Sequence, residues 1–486
     1  MKILIRGAGD LATGIAWRLK KCGHDIVMTD IAVPTTVRRT VAFSRAIYEG
    51  NAVVEGVEAV CADNSDNDRM TAVNHILDSD RIAVVVDETA AIRKEFQPDV
   101  AIDAVIAKKN LGTMITDAPL VIGVGPGFTA GIDCHCVIET KRGHYLGKVM
   151  YTGSAIPNTG VPGDIGGYTV ERIIRAASDG IFIPIKQIGD RVEAGDVVAR
   201  IVPSSSYEIT ALITALIPGV IRGMLQEGVH VRSGMKCGDI DPRCEQEHCY
   251  SISDKARSIG GGALEAVSRF EHRRSNLGIV LLAAGEGRRY GSNKLLETIN
   301  GRRLFEYAAD AVSGLSWSVS SDRNISCGKK KMLSNFPAFI VTGYDEIADY
   351  CESKGFVTVR NDHPELGISE SLKLGLDAAR TLYPGIDGIL FAVCDQPGLT
   401  ADSFMRLING YSSSDKGLAC MGQGENMLGN PCIFSRKYFD DLMRLTGDTG
   451  GKRVIMAHKD DLSVVYAGDN ELKDIDYPGF SPQTST

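Results

Sequence analysis

The feature that most constrains the fold is an apolar run that leads directly into a glycine-rich segment, just past the middle of the chain. Residues 279–284 read Ile-Val-Leu-Leu-Ala-Ala, which predicts a buried β-strand, and glycines follow at positions 285, 287 and 291. Small residues let backbone N–H groups approach phosphate oxygens, and Arg289 and Lys294 add fixed positive charge in the same segment. The spacing differs from that of a P-loop, which ends on Gly-Lys-Ser/Thr. The segment therefore predicts an α/β fold in which a strand leads into a polyphosphate-binding loop.

A second predicted strand ends on an acidic residue. Residues 388–394 form an apolar run that stops at Asp395, and a proline stands two positions later. In an open α/β sheet, a side chain at the carboxyl end of a buried strand points into the ligand crevice. A carboxylate there suits Mg²⁺, which prefers oxygen ligands and neutralises charge on a leaving pyrophosphate. The alternative is that Asp395 only caps a turn, but the nearby loop at 282–294 favours the metal role.

Length and charge exclude several classes of protein. A chain of 486 residues exceeds one hydrophobic core, and at about 150 residues per domain it indicates about three domains. The net charge of -8 argues against a protein that chiefly binds nucleic acid. No apolar run approaches the roughly 18 residues that span a bilayer, and the N-terminus begins with a strand-like run rather than a signal peptide. We therefore expect a cytoplasmic protein with reduced thiols and no nucleic acid or membrane partner.

Residues 1–125 alternate strand-like and helix-like runs, which predicts a parallel sheet covered on both faces, a Rossmann-like domain. The clearest strands are predicted at 2–6, 25–29, 83–86 and 120–124, with a crossover helix at 11–21.

The first strand and helix of this domain flank a possible nucleotide site. Gly7, Gly9 and Ala12 fit the G-x-G-x-x-G/A pattern between strand and helix. Asp30 ends the next predicted strand, where a ribose-binding carboxylate would lie. The pattern predicts that a nucleotide or dinucleotide binds to these four residues. The alternative is a Rossmann-like fold without a ligand, in which Asp30 is a structural cap.

Residues 126–250 are rich in glycine and β-branched residues, and they contain an internal repeat. Glycines at 180, 189 and 195 recur at the same intervals at 219, 228 and 234. Two such β-units predict a barrel-sandwich-like domain, the architecture of biotinyl and lipoyl carriers. Carriers need a lysine between the two halves, and none occurs between Lys186 and Lys236, so we predict a structural or docking domain. Residues 251–276 are predicted to be a helix and linker, and residues 277–486 a second Rossmann-like α/β domain.

Motifs in residues 277–486 resemble those of the molybdenum cofactor nucleotidyltransferases, and of the cytidylyltransferases among them. The matching segments are Leu-Ala-Ala-Gly-x-Gly-x-Arg-x-Gly-x-x-Lys at 282–294, Gly-x-Ser-x-Ser-Leu at 367–372, Cys-Asp-Gln-Pro at 394–397, Gly-Asn-Pro-Cys-Ile-Phe at 429–434, Gly-Asp-Thr-Gly-Gly at 447–451 and Asp-Ile-Asp-Tyr-Pro at 474–478. The resemblance implies transfer of CMP from CTP to the terminal phosphate of molybdopterin, with Mg²⁺ bound and pyrophosphate released. In this family Ala-Ala-Gly accompanies cytidine, so Ala284 favours CTP.

The same resemblance implies a role for each matching residue. Arg289 and Lys294 would contact the triphosphate, Asp395 would hold Mg²⁺, and Asp476 would be a second acidic group near the metal. The residues implied to line the nucleotide site are Leu282, Ala283, Ala284, Gly285, Gly287 and Gly291.

The N-terminal half resembles the YqeB family, which is associated with selenium-dependent molybdenum hydroxylase systems. The resemblance rests on Arg-Gly-Ala-Gly-Asp-Leu-Ala-Thr-Gly at 6–14, Gly-Val-Gly-Pro-Gly-Phe at 123–128, Val-Ile-Glu-Thr-x-Arg-Gly-His at 137–144 and Gly-Asp-Ile-Asp-Pro-Arg at 238–243. It implies a role in hydroxylase maturation, with the hydroxylase apoenzyme as a protein partner. Two other functions remain open from the residues alone: nucleotidyl transfer to another phosphorylated acceptor, and a non-catalytic chaperone that inserts the cofactor.

Overall fold

The computed structural model describes residues 1–64, 68–158, 160, 163–203, 209–285, 293–315, 336–423 and 427–475. The chain forms two compact units, Met1–Val267 and Ser268–Thr486. None of the helices in these ranges is both long enough and apolar enough to cross a membrane.

The first unit begins with a large, mainly parallel sheet. Its strands are Lys2–Arg6 (β1), Asp25–Asp30 (β2), Asn51–Val54 (β3), Val57–Cys61 (β4), Ile82–Val86 (β5), Val100–Asp103 (β6), Leu120–Val124 (β7), Cys136–Ile138 (β9) and Val149–Met150 (β10), with Thr129–Ala130 (β8) lying outside the sheet. The accompanying helices are Asp10–Lys21 (α1), Arg45–Glu49 (α2), Arg69–Asp78 (α3) and Arg93–Phe96 (α4). The nine strands lie in the order β10-β9-β7-β6-β1-β2-β5-β4-β3. Only the β3–β4 and β9–β10 pairs are antiparallel.

This sheet confirms the predicted Rossmann-like fold. The strands at 2–6, 25–29, 83–86 and 120–124 and the helix at 11–21 all lie within a residue or so of their predicted limits. Both faces are covered, since every residue of β7 and all but the last of β5 are buried. The sheet continues through β9 and β10 to Met150, past the predicted limit at residue 125. The domain boundaries drawn from the sequence remain a prediction.

The rest of the first unit is a two-layered β-domain followed by a long helix. Its strands are Gly153–Ser154 (β11, paired with β8), Ile173–Arg175 (β12), Gly180–Pro184 (β13), Arg191–Val192 (β14), Val197–Val202 (β15), Ala211–Thr214 (β16), Gly219–Met224 (β17), His230–Val231 (β18) and Lys236–Asp241 (β19). Strands β12 to β19 form two four-stranded sheets, β12-β19-β17-β14 and β16-β15-β13-β18. The helix Asp254–Ser275 (α5) follows, and the boundary between the two units falls within it.

The internal repeat is confirmed by these strands. The first copy supplies β13, β14 and β15, and the second supplies β17, β18 and β19 in the same order. Each sheet combines the outer two strands of one copy with the short middle strand of the other. The six repeated glycines all have positive φ, which is why this residue type recurs at those positions. Exchange of the middle strands lets both copies share one core, in which Phe182, Ile201 and Ile221 are fully buried.

The second unit is a mixed seven-stranded sheet with helices on both faces. Its strands are Leu277–Leu282 (β20), Thr298–Ile299 (β21), Arg302–Arg303 (β22), Ala338–Thr342 (β23), Val357–Arg360 (β24), Gly388–Val393 (β25), Leu418–Gly422 (β26), Leu428–Ser435 (β27) and Leu462–Tyr466 (β28). Its helices are Leu304–Ser313 (α6), Asp345–Ser353 (α7), Ile368–Leu382 (α8), Ala401–Ser413 (α9), Phe439–Met443 (α10) and Lys452–Ala457 (α11). The sheet order is β24-β23-β20-β25-β27-β26-β28, and β21 and β22 form a separate hairpin.

Strand β20 is the centre of this unit. It lies parallel to β23 on one side and to β25 on the other. Leu277, Ile279 and Leu281 face one hydrophobic core, and Val280 and Leu282 face the other, as the two-residue period of a strand requires. An apolar residue at every position is thus explained by burial of both faces.

Helix α8 approaches β20 closely at Gly375. A Cβ atom added there would lie 2.5 Å from Cγ1 of Val280 and 3.0 Å from Cγ2 of Val341. We expect Gly375→Val to lower the free energy of unfolding by about 1–3 kcal/mol, because a close-packed core has no room for the branched side chain. Calorimetric melting of the full chain measures the effect. Exposed Gly385, where an added Cβ meets nothing within 4 Å, is the matched control, and an equal change in both valine variants would contradict this packing.

His135 makes the stability of the first unit depend on pH. Its Nδ1 accepts the backbone N–H of Val121 at 2.9 Å, and burial lowers the pKa of His135 from 6.5 to about 4. The folded state therefore disfavours the protonated ring, so stability is complete above pH 6.5 and is lost as the pH falls from there to about 4. The loss should reach about 3 kcal/mol. Urea unfolding from pH 7 to 4 should be less pH-dependent in His135→Gln, whereas exposed His75→Gln should keep the wild-type slope.

Candidate functional site

The two segments singled out at the ends of predicted strands meet at one edge of the second sheet. Strands β20 and β25 are parallel neighbours, and Leu282 is the register partner of Val393. Ala283 and Cys394 therefore leave the sheet side by side, and Asp395 follows immediately. This edge is the carboxyl end of the parallel strands, where ligands bind in open α/β sheets.

Lys294 and Asp395 form an ion pair at this edge. The Lys294 Nζ donates to Asp395 Oδ2 at 2.7 Å, and each side chain is 19% exposed. Lys294 stands at the start of a single 3₁₀ turn that Asn293 caps, its Oδ1 accepting the N–H of Leu295 at 3.1 Å. Buried Leu295 anchors the turn in the core, so the position of the ammonium group is set by packing as well as by charge.

The second oxygen of Asp395 is available for a ligand. Oδ1 is buried and has no hydrogen-bond partner among the described residues. A buried carboxylate oxygen without a partner is costly, and it is a suitable ligand for a hard cation. In the described ranges no cluster of three or more His, Cys, Asp or Glu side chains could hold a metal. A Mg²⁺ ion held by one carboxylate, substrate phosphates and water fits this donor set.

The final described residues pack against the segment around Asp395. Gln396 Nε2 donates to Asp474 Oδ1 at 2.9 Å, and the N–H of Ile475 donates to the carbonyl of Asp395 at 3.1 Å. The structure thus brings the motif at 394–397 together with Asp474 and Ile475, the first two residues of the motif at 474–478. Asp476 itself lies outside the described residues, as do Arg289, Gly287 and Gly291, so their predicted roles remain predictions.

The described residues of the predicted nucleotide loop differ in exposure. Leu282, Ala283 and Ala284 are buried, and Gly285 is exposed. Ala283 is held at both backbone groups: its N–H donates to the carbonyl of Val341 at 2.8 Å, and its carbonyl accepts from Thr342 Oγ1 at 3.1 Å. These small side chains therefore belong to the core, and backbone groups at the end of the strand are what this segment can offer a nucleotide.

A buried asparagine that no sequence motif singles out links the neighbouring strand ends to helix α8. Asn361 donates from Nδ2 to Ser371 Oγ at 2.9 Å, and its Oδ1 accepts the N–H of His363 at 2.9 Å. Its own N–H donates to the carbonyl of Thr342 at 3.1 Å. An asparagine in a turn is common, so nothing in the sequence distinguishes this one.

Two predicted motifs pack together at the start of α8. Gly367 has a φ of +87°, and a Cβ atom there would lie 2.5 Å from the backbone of Gly447. The N–H of Ser369 donates to the carbonyl of Gly447 at 3.3 Å. The motifs at 367–372 and 447–451 therefore form one close backbone contact, for which glycine is required at position 367.

Cys394 is poorly suited to act as a nucleophile. Its side chain is buried, and burial raises the pKa of the Cys394 thiol well above its usual range, so the sulfur stays protonated.

In the first unit, Asp30 holds the glycine-rich segment in place. Its Oδ2 accepts the N–H of Ala8 at 2.9 Å, and its Oδ1 accepts the N–H of Ile31 at 2.8 Å. Burial raises the pKa of Asp30. Gly7 and Gly9 flank Ala8, whereas Ala12 is buried in α1, so the structure groups three of the four predicted residues around one carboxylate. Nucleotide binding by these residues remains a prediction.

The Lys294–Asp395 ion pair should give a measurable coupling energy in a double-mutant cycle. We expect Lys294→Met to lower the free energy of unfolding by about 1–3 kcal/mol, because the partly buried Asp395 carboxylate loses its charged partner. Lys294→Met combined with Asp395→Asn should recover part of this loss, since a neutral amide needs no counter-charge. Urea unfolding of the wild type, both single variants and the double variant gives the coupling energy. Additive effects would contradict the pair.

Comparison with known proteins agrees with this geometry. Residues 279–462 match the MobA-like NTP transferase domain family. The protein described as "Uncharacterized protein YqeB" from Escherichia coli strain K12 is 46% identical over 271 residues, which is 56% of this chain and 48% of the relative. The chain thus spans about half the length of the curated relative it matches.

Several solved structures are similar in part. A homologue of Mycobacterium tuberculosis Rv0371c from Mycobacterium sp. strain JC1 is 27% identical, covering 42% of this chain and 92% of that one, with a TM-score of 0.33. The 4-diphosphocytidyl-2C-methyl-D-erythritol synthase of Anaerococcus prevotii is 15% identical, covering 43% and 93%, with a TM-score of 0.32. The molybdopterin-guanine dinucleotide biosynthesis protein A of Archaeoglobus fulgidus is 18% identical, covering 41% and 93%, with a TM-score of 0.27. The family match shows that this chain contains a MobA-like NTP transferase domain, a domain of the nucleotidyltransferases, in its second unit.

Proposed function

We propose that the second unit transfers CMP from CTP to the terminal phosphate of molybdopterin and releases pyrophosphate, with Mg²⁺ as the metal. The observation that carries the proposal is the Lys294–Asp395 pair, with its unpartnered Oδ1, at the carboxyl edge of the sheet. The match of residues 279–462 to the MobA-like NTP transferase domain supports the reaction class. The choice of CTP and molybdopterin rests on the sequence motifs, above all Ala283, Ala284 and Gly285.

In the proposed reaction, a phosphate oxygen of the acceptor attacks the α-phosphorus of CTP. A new P–O bond forms, the bond between the α-phosphorus and the bridging oxygen breaks, and pyrophosphate leaves with that electron pair. Mg²⁺ bound at Asp395 would neutralise negative charge on the phosphates when present. The chain's own contribution is positioning and fixed charge, so no covalent intermediate with a side chain is needed.

Lys294 is suited to two roles at once. The Lys294 ammonium donates to Asp395, and this contact keeps it at the strand end. We propose that the same ammonium, as a fixed positive charge, also contacts phosphate oxygens of the triphosphate. Arg289, which lies outside the described residues, is proposed to contact the same triphosphate. Asp395 is thus both the metal ligand and the group that positions Lys294.

The first unit is proposed to assist maturation of a selenium-dependent molybdenum hydroxylase, with the hydroxylase apoenzyme as partner and the cytoplasm as location. The support is the similarity of its motifs to the YqeB family. Two functions on one chain raise the local concentration of a shared intermediate, so a cofactor made by one unit is kept near the other.

Substitutions at the pair should remove turnover while the fold survives. We expect Lys294→Met and Asp395→Asn each to reduce pyrophosphate release from CTP and molybdopterin by about 10²–10³-fold, the usual effect of removing one electrostatic stabiliser. Lys459→Met and Asp377→Asn change exposed residues of the same types in the same unit and should retain wild-type rates.

The acceptor and nucleotide are tested in the same assay. Turnover with molybdopterin, and with CTP above GTP, supports the proposal. Turnover only with other phosphorylated acceptors would replace the substrate assignment, and CTP binding without turnover would favour a cofactor-inserting chaperone. Full activity in both pair variants would overturn the assignment of the site.

A further inference from the structure

The first unit contains a cavity of about 520 Å³ that none of the sequence motifs predicted. Its wall is built from the start of α1, the β-domain strands β12, β17 and β19, and the start of α5. The volume is that of a small-molecule site. Asp10 and Leu11 contribute from the glycine-rich segment, whereas Gly7, Gly9, Ala12 and Asp30 do not line the cavity. The cavity therefore adjoins the predicted nucleotide loop but is lined by none of the four residues predicted to bind there.

The wall is strongly cationic in a chain whose net charge is -8. Five arginines and four lysines line it, and the acidic residues of the wall are Asp10 and Asp239. Beyond the lining, Asp241 lies near Arg222 but pairs more closely with Arg243, Asp254 pairs with Arg142, and Glu139 acts electrostatically on Lys255. Even if these three acids are counted in full and Arg243 is left out, nine positive groups against five acids leave an excess of four positive charges.

Three of the arginines are buried, which sets this wall apart from an exposed basic surface. Arg38, Arg172 and Arg222 are 7%, 8% and 7% exposed. Arg172 pairs with Asp239, and Arg38 lies 3.4 Å from Asp10. Even so, Nε of Arg38 and Nε of Arg172 have no hydrogen-bond partner among the described residues. A buried guanidinium group with an unused donor is costly, and negative charge nearby offsets part of that cost.

The positive groups also repel one another. Burial lowers the pKa of Arg222, and neighbouring Arg38 lowers it further. Burial lowers the pKa of Lys255 in the same way, and Arg142 adds to the effect. Lys255 is half-buried, and its ammonium makes no hydrogen bond or ion pair within the described part of the chain. A bound anion would relieve this repulsion.

We propose that the cavity binds a small molecule that carries a diphosphate group. An excess of at least four charges matches a diphosphate better than a single phosphate. The buried arginines supply fixed positive charge in the wall, which attracts phosphate groups. Aliphatic side chains on the same wall, among them Leu11, Ile156 and Ile173, leave room for a less polar body attached to the diphosphate. The proposal does not depend on the activity proposed for the second unit.

The test is calorimetric titration of the full chain with sodium pyrophosphate in EDTA, so that magnesium-dependent binding is absent. We expect one pyrophosphate per chain, bound at least tenfold more weakly by Lys141→Met/Lys255→Met. These lysines have no ion pair in the described structure, so their loss leaves the buried arginine pairs intact. The matched control is Lys21→Met/Lys94→Met, which removes two exposed lysines elsewhere in the unit and should bind like the wild type.

Further titrations separate the alternatives. Inorganic phosphate should bind at least tenfold more weakly than pyrophosphate, and equal affinities would overturn the assignment of a diphosphate. Loss of binding in Lys294→Met would place the anion in the second unit and overturn the proposal. So would an absence of pyrophosphate binding to the wild type, or equal affinities in the two double-lysine variants. If Lys141→Met/Lys255→Met has a lower melting temperature than the wild type, the single variant Lys255→Gln is used instead. It is expected to weaken pyrophosphate binding at least threefold.

Discussion

Both units depend on one constraint, the burial of both faces of a largely parallel sheet. Such a sheet has no room for charged side chains within its strands, so polar chemistry is confined to the strand ends. Asp30 and Asp395 occupy equivalent places, each at the carboxyl end of a buried strand. Both are partly withdrawn from water, and each must find partners for two oxygens. The partners that those oxygens find determine whether the carboxylate is available to a ligand.

The two aspartates solve this problem differently. Both oxygens of Asp30 accept backbone N–H groups, and one of these contacts holds the glycine-rich segment in place. Asp395 has Lys294 on one oxygen and no described partner on the other. Both oxygens of Asp30 are thus engaged by the chain itself, while Asp395 keeps one oxygen without a partner among the described residues. The same sequence signal, an acid after an apolar run, therefore leads to two different sets of contacts in the two units.

The sequence was informative where a pattern is local and periodic. Apolar runs located β1, β2, β5, β7, β20 and β25, and the repeated glycines located both copies in the β-domain. Short strands such as Val149–Met150 have too few residues to show a period, so the full width of the first sheet was not predicted. The meeting of Lys294 and Asp395 was predictable because parallel neighbours end at one edge.

Contacts between distant segments left no such signal. Asn361 and Ser371 are linked through a turn and a helix start, and neither residue is unusual for its place. The cationic cavity draws on positions from Arg38 to Lys255, which no local motif joins. The net charge of the chain does not reveal this positive cluster either, because acidic residues elsewhere bring the net charge to -8.

This separation of charge has a physical consequence for the proposed functions. An acidic chain repels polyanions at long range, so an anionic substrate is held only where cations are concentrated and partly removed from solvent. The described structure has two such places, the strand end at Lys294 and the arginine-rich cavity in the first unit. In both, a packed framework holds the cations before a ligand arrives: Leu295 anchors the turn that carries Lys294, and the strands of the β-domain carry the buried arginines. Cations fixed in advance reorganise little on binding, which favours the phosphate groups proposed to bind at each place.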